Sequence, residues 1–143
     1  MEIFEVREVT AGLLAAVNEL LPQLSEAVRP MRAADLEGVV AAEASRLFMA
    51  REQEKYYGML TLICFAAPTG RWARIEDLVV DGQARGKGLG RRLVAHAIDA
   101  AAAWGARAVD LTSNPTRLAA NRLYQQMGFE TRTTHVYRLS LSR

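Results

Sequence analysis

Three glycines within five residues, at positions 86, 88 and 90, divide a strand-like stretch from a helix-like one. Arg74-Ile75-Glu76-Asp77-Leu78-Val79-Val80 is dense in β-branched and aliphatic residues and predicts a buried strand. Beyond the glycines, Leu89, Leu93, Ala97, Ala101 and Trp104 recur every three or four residues, so Arg91 to Trp104 predicts a helix that Gly105 stops. Strand, glycine loop and helix in this order point backbone N–H groups at an anion, with Arg85, Lys87, Arg91 and Arg92 adding positive charge. The glycines allow positive φ and a close approach of ligand to backbone.

The spacing limits which anion. A nucleotide P-loop needs G-x-x-x-x-G-K-[ST], and here Gly88 follows Lys87. The dinucleotide fingerprint G-x-G-x-x-G fails as well, because Arg91 occupies the place of its last glycine. Arg85-x-x-Gly88-x-Gly90 resembles the R/Q-x-x-G-x-G/A signature of the GCN5-related N-acetyltransferase (GNAT) family. Ala120-Asn121-Arg122-Leu123-Tyr124-Gln125-Gln126-Met127-Gly128-Phe129 resembles that family's A-x-x-L/F-Y-x-x-x-G-F motif. The two motifs and their flanks span residues 72 to 141, with a strand-like Val109 to Ser113 between them. The N-terminal half matches only in its pattern of elements.

At 143 residues the chain is long enough for one domain with a proper core, and one N-acetyltransferase domain over 1–143 is expected. Half of the residues are hydrophobic and the net charge is only +2, which gives no footing for nucleic acid or a membrane surface as main partner. The single cysteine, Cys64, lies in the apolar run Leu60 to Ala67 and reads as buried; no Cys/His cluster offers a metal site. Met1-Glu2-Ile3-Phe4-Glu5 lacks the basic and apolar regions of a signal peptide, and no apolar run approaches the ~20 residues of a membrane span. A cytoplasmic protein is expected.

Read in order, Ile3 to Val9 alternates as a strand, and Thr10 caps a helix from Ala11 to about Leu21, ahead of Pro22. A second helix runs from about Ala33 to Ala44. Arg46 to Arg51 and Tyr56 to Ala67 form strands, and Pro68-Thr69-Gly70 turns into the strand that ends at Val80. After the glycine-loop helix, a strand over Arg107 to Ser113 should lie parallel to that strand. A helix from Arg117 to Met127 and one or two closing strands over Phe129 to Leu141 complete the chain. The resemblance implies a mixed α/β fold: a mostly antiparallel twisted sheet of six to seven strands, with a parallel, splayed central pair and about four flanking helices. It also places the first two helices beside an acceptor cleft.

Acetyl transfer to an amine requires removal of a proton from nitrogen, stabilisation of the carbonyl oxygen and protonation of the leaving thiolate. The resemblance implies acetyl-CoA as co-substrate, no metal, and direct attack by the amine in a ternary complex. It makes Tyr124 the general acid and puts a general base on the strand before the loop. Glu76 is chosen, with Asp77 and Asp110 next; adjacent strand residues face opposite sides, so without a bulge only one of Glu76 and Asp77 can face a cleft. In the family a bulge frees the backbone at Leu78, Val79 and Val80 for the pantetheine arm and thioester oxygen. Arg85, Gly86, Lys87, Gly88, Leu89, Gly90 and Arg91 would hold the pyrophosphate, with Asn114 and Asn121 reaching cofactor amides or phosphate. The common N-x-x-A form of the second motif has asparagine where this chain has Arg117, which removes one amide contact and offers a cation instead. His96 reads as surface; His135 and Tyr137 lie on a late strand.

A small-molecule primary amine is the expected acceptor, since the chain carries no added recognition domain. A protein or peptide amine is the second choice, and a non-catalytic acyl-CoA-binding module the rival from another class. Homodimers are frequent in the family, and the apolar late strands offer a surface for pairing across chains.

Overall fold

The computed structural model describes residues 1–142. Its first unit, residues 1–112, holds one five-stranded sheet in the order β1-β2-β3-β4-β5: β1 (Glu2–Glu5), β2 (Ser45–Glu52), β3 (Lys55–Ala67), β4 (Gly70–Val80) and β5 (Val109–Asp110). The first four strands pair antiparallel as a meander, and β5 joins β4 in parallel. Helices α1 (Ala11–Leu24), α2 (Ala33–Ala41) and α3 (Leu89–Trp104) pack on this sheet. The second unit, from Ser113 onward, contains α4 (Leu118–Gln126).

Side-chain alternation assigns the helices to the two sheet faces. Leu47, Met49, Met59 and Val79 form one buried cluster with Leu13, Val17, Leu20 and Leu21 of α1 and Leu36 of α2. Phe48, pointing the other way from β2, meets His96 of α3 edge-on at 4.9 Å. Leu93, Val94 and Ala97 of α3 are fully buried on that side. Each large side chain so buried contributes roughly 1.5–3 kcal/mol, and the periodic stripe on α3 exists to collect that energy.

α1 begins where the sequence signals it: the Thr10 hydroxyl accepts from Leu13 N–H at 3.1 Å. It runs past Pro22 to Leu24, three residues beyond the sequence-based stop. Proline in the last turn forfeits only the bond to Asn18 C=O. The Asn18 amide is itself engaged elsewhere, donating to Met31 C=O at 3.0 Å and accepting Met31 N–H at 2.7 Å, which pins the α1–α2 connection.

The sheet has five strands where six to seven were expected. Phe129 to Ser142 carries no strand: a strand is defined by its ladder, and this segment has none among the described residues. β5 is also shorter than the predicted Arg107 to Ser113, because β4 stays beside it for two residues only. No helix among the described residues is long and apolar enough to cross a membrane.

Gly58 of β3 lies directly beneath the start of α3. A Cβ there would sit 3.0 Å from a Leu93 methyl and 3.2 Å from Val79 C=O. Gly58→Val should therefore destabilise the protein by about 1–3 kcal/mol through overpacking, read as a lower Tm in a thermal melt. An unchanged Tm would show that the first turns of α3 are not held against the sheet at this point.

Candidate active site

The loop from β4 to α3 is fastened at its beginning and open at its end. Asp81 Oδ1 accepts Gln83 N–H at 2.9 Å and Oδ2 accepts the Gln23 amide at 3.1 Å, while Gln23 Oε1 accepts Gly82 N–H at 2.9 Å. Lys55 Nζ donates to Gln83 Oε1 at 2.7 Å. These donors hold the Asp81 carboxyl below its ordinary range, the Gln23 bond being the largest cause. Gln23 and Asp81 are thus loop-positioning residues that the sequence reading passed over. Gln23 gave little signal in the sequence, being one of the polar residues of α1 with Asn18 and Glu19.

Past this clamp, Gly86 and Gly88 adopt φ of +78° and +81°, and an added Cβ at either would meet nothing within 4 Å. Side-chain-bearing residues avoid that backbone region, so glycine here keeps open space in front of the helix start. Gly88 is the N-cap of α3 and supplies no side-chain cap, so the N–H groups of Leu89 and Gly90 have no partner within the helix. A helix of 16 residues ending in such a loop fits a phosphate group. Lys87 is exposed beside it, as are Arg85 and Arg91. Arg85 also donates from Nε to Val80 C=O at 3.1 Å, bracing the loop against the strand it leaves.

β4 carries a bulge in its ladder with β3. Val79 pairs with Met59 and Glu76 with Thr61, so Asp77 and Leu78 together oppose Leu60. Asp77 takes the left-handed position of this bulge at φ +52°, where glycine is usual. The extra residue reverses the alternation. Ile75 pairs with Leu62 on the α3 face, whereas Glu76 and Val79 both lie on the face of α1 and α2. On its other edge β4 pairs with β5 only through Ala73–Val109 and Arg74–Asp110, which leaves the backbone edge of Ile75–Val80 without a strand partner among the described residues.

The two carboxylates at the bulge have different surroundings. Glu76 is held in an ion pair by Arg74, its neighbour on the same strand face. Asp77 has no such partner among the described residues; partial burial pushes its carboxyl above the ordinary 3.8, and the Glu76 charge adds to the rise. Asp110 is exposed on β5 and is paired in register with Arg74.

In the second unit, Asn114 and Asn121 build the entry to α4. Asn114 Oδ1 accepts Thr116 N–H at 2.9 Å, and Asn121 Nδ2 donates to Asn114 C=O at 3.0 Å. Their amides shape a loop in the first instance. Tyr124 is buried on α4, edge-on to Phe129 at 5.9 Å, and burial raises its phenol above the usual 10.0 against the opposing charge of Arg117. The hydroxyl is therefore a neutral donor across the physiological range.

The acetyltransferase (GNAT) family model matches residues 14–129. The chain is 31% identical over 141 residues to an uncharacterised N-acetyltransferase of Bacillus subtilis, YhfO, covering 92% of this chain and 93% of that protein. The chain belongs to the GNAT family. Among solved structures, one from Agrobacterium tumefaciens strain C58 assigned as an acetyltransferase superposes with a TM-score of 0.87 at 24% identity, covering 98% of this chain and all of that one. An aminoglycoside acetyltransferase from an uncultured soil sample, solved in complex with sisomicin, superposes with a TM-score of 0.84 at 17% identity over 97% and 95% of the two chains. As a GNAT acetyltransferase the protein is an acyltransferase, and its fold is that of the family.

Within this GNAT chain, Asp77 combines an ionisation penalty with a left-handed backbone. Because its folded-state pKa is raised, the folded protein holds the proton more tightly than the unfolded chain does. Stability is consequently lost as pH rises from the ordinary carboxylate value of 3.8 through the folded value. Asparagine tolerates the same backbone and cannot ionise. Asp77→Asn should raise Tm at pH 7, and the gain should vanish as the pH is lowered below that ordinary value. A gain equal at all pH values would mean that the charge is not its source.

Proposed function

We propose that this protein is an acetyl-CoA-dependent N-acetyltransferase acting on a primary amine of a small molecule. The observation that carries the reading is the conjunction, in one unit, of an open glycine cradle at the start of α3 and a bulged β4 whose far edge lacks a strand partner. The residues present fit the co-substrate. The N–H groups of Leu89 and Gly90, with the backbone of Arg85 to Gly88 and the charges of Lys87 and Arg91, would hold a pyrophosphate. Leu78, Val79 and Val80 would offer backbone groups to the pantetheine arm and thioester oxygen. Asn114 and Asn121 are second-rank contacts, since part of their capacity goes to their own loop.

Acetyl-CoA supplies an acetyl thioester: the amine nitrogen bonds to the carbonyl carbon and the carbon–sulfur bond breaks. On the protein side, a carboxylate takes the proton from nitrogen and Tyr124 gives one to the sulfur. Sequence alone favoured Glu76 as the base. The Glu76 carboxylate is engaged by Arg74, whereas Asp77 has no ion-pair partner among the described residues and partial burial raises its proton affinity, the direction a general base needs. Asp77 is accordingly our base.

Two further features support a small cationic acceptor. A concavity of about 630 Å³ between α1 and the β2–β3 turn is lined by three carboxylates, Glu19, Glu52 and Glu54, against one cation, Lys55, together with Tyr56 and Tyr57. The sisomicin-bound neighbour of the same fold is an aminoglycoside acetyltransferase. A homodimer, frequent in the family, completes the reading.

Calorimetric titration tests the cradle. Acetyl-CoA should bind at micromolar concentration, ATP and NAD should not, and Gly88→Leu should abolish binding; a folded protein that ignores acetyl-CoA would remove the proposal. The acid is tested by Tyr124→Phe, which should lower kcat by about 10²–10⁴-fold and leave acetyl-CoA affinity nearly unchanged. Equal losses in turnover and affinity would reassign Tyr124 to binding.

A further inference from the structure

One side-chain oxygen among the described residues is buried with no hydrogen-bond partner in the protein: Ser113 Oγ. A hydroxyl in that state has lost its hydration and gained nothing for it, and native proteins leave few such groups. From β5 onward the exposure alternates. Val109, Leu111 and Ser113 are half-buried, whereas Asp110, Thr112 and Asn114 are exposed. The inward positions of this run are therefore a valine, a leucine and a serine, and an apolar third residue would carry no unpaired group. Serine at that position departs from the pattern of its own segment.

The polar groups that follow do not repair the departure. Asn114 Oδ1 accepts both the N–H and the hydroxyl of Thr116, at 2.9 and 2.8 Å, and Asn121 Nδ2 donates to Asn114 C=O at 3.0 Å. These bonds close the turn into α4 upon itself and pass over Ser113. The residue as a whole is only half-buried, so rotation about its Cα–Cβ bond to another staggered position turns the oxygen towards the open side. A partner from outside the protein can reach it there.

The covalent chain fixes which partner is near. Asp110, in register with Arg74, is the last rung between β5 and β4, and Ser113 follows it within about 11 Å of extended chain. The free edge of β4, Ile75–Val80, begins at the same rung. The pantetheine arm of acetyl-CoA, assigned above to that edge, carries carbonyl oxygens at its amides and at its thioester. One strand edge can satisfy only the side of the arm that faces it, and a carbonyl directed away needs a donor from elsewhere. Resting on that acetyl-CoA reading, we infer that the Ser113 hydroxyl donates a hydrogen bond to a carbonyl oxygen of the acetyl-pantetheine arm.

Ser113→Ala separates this role from a structural one, because it moves stability and affinity in opposite directions. The free variant sheds an unpaired hydroxyl, and its Tm should rise by about 2–4 °C. Calorimetric titration of the same variant should show acetyl-CoA bound about fivefold or more weakly than by the wild type. Titration with CoA locates the oxygen. Equal weakening for CoA and acetyl-CoA assigns an amide of the arm, and weakening for acetyl-CoA alone assigns the thioester. Unchanged affinity for both ligands overturns the inference and leaves the acetyl-CoA reading standing. A lowered Tm overturns it too, since the hydroxyl then has a partner in the free protein. A folded wild type that binds neither ligand overturns the inference and the reading together.

Discussion

The site in this protein depends on one extra residue in β4. Because Asp77 and Leu78 together oppose Leu60, the face assignment of the strand reverses between Ile75 and Val79. Ile75 serves the core under α3, and Val79 serves the core under α1 and α2. Without the bulge both would point the same way and one of the two cores would lose a buried side chain, at roughly 1.5–3 kcal/mol. Both cores are thus satisfied only if the strand is kinked at the carboxylates. The bulge also increases local twist, and β4 keeps its parallel partner for just two residues, Ala73 and Arg74, before the bulge is reached. Core packing and cleft geometry are consequences of the same insertion.

The start of α3 is positioned by contacts that tolerate little change. Gly58 lets the sheet approach Leu89 and Leu93 closely, and the Gln23–Asp81–Gly82 bonds tie the loop to α1 on the opposite face. A phosphate-binding helix start gains by being rigid beforehand, since every N–H ordered in the free protein is one that need not be ordered on binding. Pro22 belongs to this arrangement. A helix stopping at Leu21 would leave Gln23 outside regular structure, whereas the observed last turn carries its amide between Asp81 and Gly82.

How much of this was legible depended on whether the signal was local. The periodic apolar stripe of α3 and the Thr10 cap of α1 are local, and α3 and the start of α1 lie where the sequence puts them. The extension of α1 through Pro22 is a tertiary override: contacts to residues nearly sixty positions away outweigh one lost backbone bond. The glycine cradle was legible because positive φ leaves a compositional mark. The left-handed residue of the bulge left none, since aspartate stands where glycine would have announced it. The tail from Phe129 shows the reverse limit. Its alternation is a sound strand signal, but alternation specifies a face to be buried and says nothing of what buries it.

The Glu76–Asp77 pair shows why adjacency in sequence does not mean equivalence in chemistry. On a regular strand the two would point to opposite faces, and a choice between them would be a choice of face. The bulge replaces that alternative with a difference of environment. Glu76, in register with Thr61, keeps its place in the ladder and has Arg74 as its ion-pair partner. Asp77 occupies the residue that the ladder excludes, has no ion-pair partner among the described residues, and is partly buried beside the Glu76 charge. Burial first and the Glu76 charge second thereby raise the proton affinity of Asp77, without any further residue. The same bulge that satisfies two cores places Asp77 in these surroundings, which makes its raised proton affinity a product of strand register.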